Sequence, residues 1–173
     1  MIKETALVIL TAIISFGAGK SAFALDVPIT AEVDGYCSIA VERAGTYGQG
    51  SNAYTLSTAS GSAGQEVLTR VDNSLASGYK IRFTVPNQFS TAPVLNDIVT
   101  FTGDTEVQAV SDATGMADYE TNKVEVSDYV DEYELTATGS TWFKHSSVAT
   151  NGGNRAFPQG TYKSYVVAEC IAL

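Results

Sequence analysis

The sequence predicts an all-β protein, an immunoglobulin-like β-sandwich, and three observations predict it. Apolar residues alternate with polar ones in many short segments, the period of a strand with one face toward a core. Clusters of Gly, Asn, Asp and Pro separate those segments. After residue 24 no stretch repeats apolar residues at i, i+3, i+4 and i+7 with helix caps. Seven or eight short strands without helices is the pattern of a sandwich.

The elements follow in order. Residues 1–24 read as a secretory signal peptide: Lys3 near the start, an apolar or small-residue run over 5–19, and Ala22-Phe-Ala24 as a cleavage site. The apolar run is shorter than the ~18 to 20 residues a membrane helix needs, so no transmembrane segment is expected after cleavage. Residues 25–34 alternate strictly. Val27, Ile29, Ala31 and Val33 share one face, while Pro28, which has no N–H to donate, makes the segment an edge strand or an arm. Two readings stay open: the first strand of its own sandwich, or an arm that completes another molecule's sheet.

Residues 35–173 form the body. Gly35 and Tyr36 interrupt the alternation, which Cys37, Ile39 and Val41 resume. The Gly-, Ser- and Thr-rich run 44–64 reads as loop or weak edge strand. Strands are expected over 65–72, with Val67, Thr69 and Val71 on one face, and over 79–85, with Tyr79, Ile81, Phe83 and Val85 on one face. Further strands are expected over 98–102, 106–110, 123–126 and 132–138, the last with Tyr133, Leu135 and Ala137 inward. Residues 141–148 should be extended, ending at the turn signal Asn151-Gly-Gly-Asn154. Residues 161–173 close the chain as a long strand apolar on both faces. Trp142 and Phe143, as strand neighbours, must point to opposite faces.

Composition limits the function. Cleavage after Ala24 leaves 149 of the 173 residues, enough for one domain with one core, and moves the net charge from −9 to −10. Nucleic acid is therefore not an expected partner. Cys37 and Cys170 are most simply one disulfide in an exported chain, with two free buried thiols as the alternative. Their spacing supports neither a redox motif nor a zinc site.

Catalysis has little to stand on. His145 is the single histidine, no G-x-S-x-G accompanies it, and a surface or strand role is the expectation; the protein is not read as an enzyme and no cofactor is expected. The acidic stretch 118–134 holds Asp118, Glu120, Glu125, Asp128, Asp131, Glu132 and Glu134 against Lys123, in a spacing that does not fit a calcium loop, so it reads as a solvated strand face and no metal site is expected.

The two ends of the chain carry a resemblance. The arm Val27-Pro-Ile-Thr-Ala-Glu-Val-Asp34 resembles the N-terminal donor strand of chaperone-usher pilus subunits, particularly the α-fimbrial class. The C-terminal Gly160-Thr-Tyr-Lys-Ser-Tyr-Val-Val-Ala168 resembles the terminal strand of such subunits and of the related spore-coat-U-like group. The resemblance implies a sandwich lacking its last strand and completed by donor-strand exchange. Val27, Ile29, Ala31 and Val33 would then insert into a neighbouring copy, and Tyr162, Val166 and Ala168 would flank the groove. It implies neighbouring copies of the chain, a periplasmic chaperone, an outer-membrane usher and a tip adhesin as partners. It also implies export through the periplasm to a surface fimbrium that supports adhesion. The alternative is a monomeric secreted β-sandwich that binds calcium or a glycan.

Overall fold

The structure, a computed structural model, describes residues 34–50, 52–111 and 123–173. The expected signal peptide, residues 1–24, and the inserting residues Val27, Ile29, Ala31 and Val33 lie outside them. Ten strands are described: β1 (Cys37–Arg43), β2 (Gly48–Gln49), β3 (Thr55–Ser57), β4 (Val67–Asn73), β5 (Tyr79–Thr84), β6 (Val99–Val110), β7 (Val124–Ser127), β8 (Val130–Glu134), β9 (Gly139–Asn151) and β10 (Val167–Ala172). All pair antiparallel, in two sheets that form the expected sandwich.

The long strand β9 organises the larger sheet. One side of it pairs with β6 along its length; the other pairs first with β4, through Gly139 to His145, and then with β3, through Val148 to Thr150. β1 extends this sheet beyond β4, and β2 beyond β3. The second sheet runs β10, β5, β8, β7. Its inward faces are those the alternation marks: Ile81, Phe83 and Val85 from β5 and its end, with Tyr133, Leu135 and Ala137 from β8 and the chain just after it.

The core has two apolar clusters. Val71, Ile81, Phe83, Tyr133, Leu135, Ala137 and Phe143 form one; Leu56, Phe101, Ala149 and Phe157 form the other, ringed by Tyr47, Phe89 and Tyr162. Between them β9 turns His145 and Ser147 inward beside Thr69 of β4, Thr105 of β6 and Thr58. These buried polar groups are hydrogen-bonded, as burial without a penalty requires.

Several expectations need correction. Residues 98–102 and 106–110 are parts of one strand: Gly103 does not break β6 but lets it pass close to β9, where a Cβ would lie 2.6 Å from the Ser146 carbonyl oxygen. Within 44–64, β3 is no weak edge, since it pairs with the central strand and buries Leu56 and Ser57. Residues 161–173 are not one strand buried on both faces. Only Val167–Ala172 is laddered, Tyr165 and Val167 are exposed, and residues 161–166 make a single bridge, Thr91 to Lys163. An outer strand of a sandwich has one core to face, and Val166, Ala168 and Cys170 take it.

Candidate functional site

Two strands end the sheets on the same side of the sandwich. Among the described residues β1 pairs only with β4 and β10 only with β5, so each presents one unpaired backbone edge. The disulfide Cys37–Cys170, with a Cα–Cα separation of 6.1 Å, joins the start of β1 to β10 near its end. β1 therefore runs away from the bridge while β10 runs into it. The expected pairing of the two cysteines is present, and no described cysteine is free.

Beyond the bridge the two edges separate around a groove of about 970 Å³. Ile39 and Val41 line it from β1, Val67 from β4, and Val166 and Ala168 from the other lip. Val41 is 70 % exposed, although it stands on the inward side of β1. An apolar row on the core side of a strand is exposed only where the opposing layer stops short. At the far end the gap is spanned again, where the Tyr47 hydroxyl shares hydrogen bonds of 2.8 Å with both Ser147 Oγ on β9 and Ser164 Oγ before β10.

Tyr162, Val166 and Ala168, the three residues expected to flank a groove, all line this one. Tyr162 lies outside the β10 ladder, packed against Phe89 and Phe157. Residues that the sequence did not assign to a groove complete it: Ile39 and Val41 form the facing lip, and Leu56 and His145 part of the floor. The alternation marked Ile39 and Val41 as inward, but nothing in one strand's own residues tells whether the layer opposite it is present.

His145 sits in the polar belt on the groove floor and is not on the surface. It is buried, with Nε2 2.9 Å from Thr69 Oγ1 and Nδ1 3.0 Å from Thr105 Oγ1. A neutral imidazole has one donor and one acceptor, and the two threonine hydroxyls complement them. Burial holds its pKa down to about 4.

On the opposite side of the sandwich, Lys123 crosses between the sheets. Its ammonium donates to Asp104 Oδ1 and, at 3.0 Å, to the Thr105 carbonyl oxygen, and it lies 3.4 Å from Asp131 Oδ2 on β8. Asp131 is buried, so the expectation of a wholly solvated acidic face fails at this residue: β8 must send alternate side chains inward. Burial raises the Asp131 pKa against the pull of Lys123; for Lys123, burial lowers the pKa but the hydrogen bond to Asp104 and the two acidic charges outweigh it, leaving it raised. On the outer face, Glu132 accepts from Lys80 and Arg82, which lowers its pKa. Among the described residues no group of three or more His, Cys, Asp or Glu is gathered as metal ligands, and no helix is long and apolar enough to cross a membrane.

Compared with protein-family models and with curated protein sequences, the chain matches none.

Proposed function

We propose that the chain is the structural subunit of a surface fibre, in which the N-terminal arm of one copy fills the groove of the next. The groove between β1 and β10 carries the reading. It combines two unpaired strand edges with exposed apolar side chains on the β1 lip, Ile39 and Val41, and an alternating strand satisfies both together. The arm matches it in pattern and length. At about 3.3 Å per residue, the lip from Ser164 to Cys170 is roughly 20 Å long, as is an extended run from Val27 to Val33. A chaperone that lends a strand to the same groove, and an usher that exchanges it for the arm, follow from the same exposed edges. Export through an oxidising periplasm to the cell surface suits the disulfide.

Ile29→Asp in the mature chain tests this. Isoleucine burial is worth ~2 to 3 kcal/mol, and a charge in the groove must in addition be desolvated. Polymer should disappear while the monomer melts at the wild-type temperature; Thr30→Asp, on the opposite face, should polymerise nearly normally. An Ile29→Asp monomer that melts many degrees lower would overturn the proposal, because the arm would then belong to its own subunit's core.

A further inference from the structure

One lip of the groove is held unevenly along its length. Tyr162, Ser164, Val166, Ala168 and Cys170 form its half-buried row, in which Ser164 is the small polar member. From Val167 onward the lip is laddered to β5. At its other end Lys163 is bridged to Thr91, and its carbonyl oxygen accepts from the N–H groups of both Ser90 and Thr91. Residues 164–166 lie outside both pairings. What joins this stretch to the larger sheet is the Ser164 side chain, whose Oγ lies 2.8 Å from the Tyr47 hydroxyl.

Tyr47 reaches the lip from a fixed base. Just before it, Thr46 and Gln65 exchange backbone hydrogen bonds of 2.8 Å in both directions, and just after it Gly48 pairs with Ser57 of β3. The Tyr47 ring stands edge-on to Phe89, with centroids 5.8 Å apart. Its other hydroxyl partner, Ser147 Oγ on β9, is equally fixed: Ser147 N–H donates to Thr58 Oγ1 at 2.9 Å, and the Ser147 carbonyl oxygen accepts from Thr58 N–H at 2.9 Å. A phenolic hydroxyl can donate to one serine and accept from the other, so one oxygen links floor and lip.

Resting on the reading of the groove as the acceptor of a strand, we infer that the Tyr47 hydroxyl is a strut that holds residues 164–166 in place over the floor before a strand arrives. It sets the groove at the end remote from the disulfide, which sets the other. A strand that meets a lip already in position does not have to order it on binding, and binds more tightly for that reason. Tyr47 is a positioning residue, acting through the place it gives Ser164.

The test measures binding of a fluorescent peptide covering residues 25–34 to mature, oxidised Ile29→Asp protein, without denaturant, so that only folded protein is titrated. Into that parent go Tyr47→Phe, which keeps the ring, Ser164→Ala, both together, and Ser164→Thr, which keeps a hydroxyl. Tyr47→Phe and Ser164→Ala should each weaken binding about three- to tenfold, the effect of losing one modest hydrogen bond. The double variant should bind no more weakly than either single one, because the two share that bond, and Ser164→Thr should bind like the parent. Ser164→Ala serves if Tyr47→Phe folds poorly. A purely structural tie would move the urea midpoint and leave peptide affinity unchanged, and that result, or tighter binding without the hydroxyl, overturns the strut alone. A peptide that binds neither the parent nor any variant overturns the strut together with the fibre reading.

Discussion

His145 ties the acid stability of the fold to the floor of the groove. Its pKa is held near 4 in the fold, against about 6.5 in an unfolded chain, because burial disfavours the cation. The unfolded state therefore takes up a proton first as pH falls. This residue's contribution is complete above pH 6.5, declines as pH falls from 6.5 toward 4, and amounts to about 3 kcal/mol over that interval. His145→Gln should be less stable at pH 7, since it disrupts the pair of threonine hydrogen bonds, yet lose less on acidification. Denaturation midpoints of both proteins between pH 7 and 4.5 check this; parallel curves would mean that His145 titrates normally. Carboxylates held low, such as Glu132, lose their contribution mostly below this window.

At the scale of elements, Lys123 straps the side of the sandwich away from the groove. It brings the chain entering β7 to Asp104 and Thr105 of β6 and to Asp131 of β8. Lys123→Met should cost about 2 kcal/mol or more, because it leaves Asp131 buried without its partner. Adding Asp131→Leu should recover most of that loss, and chemical denaturation of the single and double variants measures the coupling. Equal stabilities of the single variant and wild type would show the strap to be idle. The strap also marks where sequence reading stops. The faces of β4, β5 and β8 were legible, because Val71, Phe83 and Tyr133 alternate against a layer that covers them. His145, Ser147 and Asp131 were not, because a polar residue's burial depends on partners that only the fold brings to it: Thr69 for His145, Thr58 for Ser147, and Lys123 for Asp131. The lips of the groove were half legible. Val166 and Ala168 stand in a recognisable pattern, whereas Ile39 and Val41 become a lip only through the pairing of β1 with β4 and the ending of the opposite sheet at β10.

For the whole molecule, the disulfide decides whether the two sheets remain one body on the groove side. β1 is held to the larger sheet by one ladder and β10 to the smaller sheet by one ladder, and no ladder joins the two among the described residues. The bridge crosses that gap and closes a loop of 133 residues, for which chain entropy alone gives on the order of 4 to 5 kcal/mol. It also fixes the distance between the lips at the end where the groove narrows, so a strand entering the groove meets edges already set apart. Cys37→Ser with Cys170→Ser should therefore lower stability by roughly 2 to 5 kcal/mol. It should weaken arm capture by more than that loss of folded population explains. Both quantities are measurable on the same samples, stability from urea midpoints and capture from the binding of a labelled peptide covering residues 25–34 to Ile29→Asp protein, whose own arm is disabled. If peptide affinity is unchanged while stability falls, the bridge holds the fold alone. If both fall, and peptide binding in turn restores part of the lost stability by mass action, the bridge and the inserted strand act on the same pair of edges.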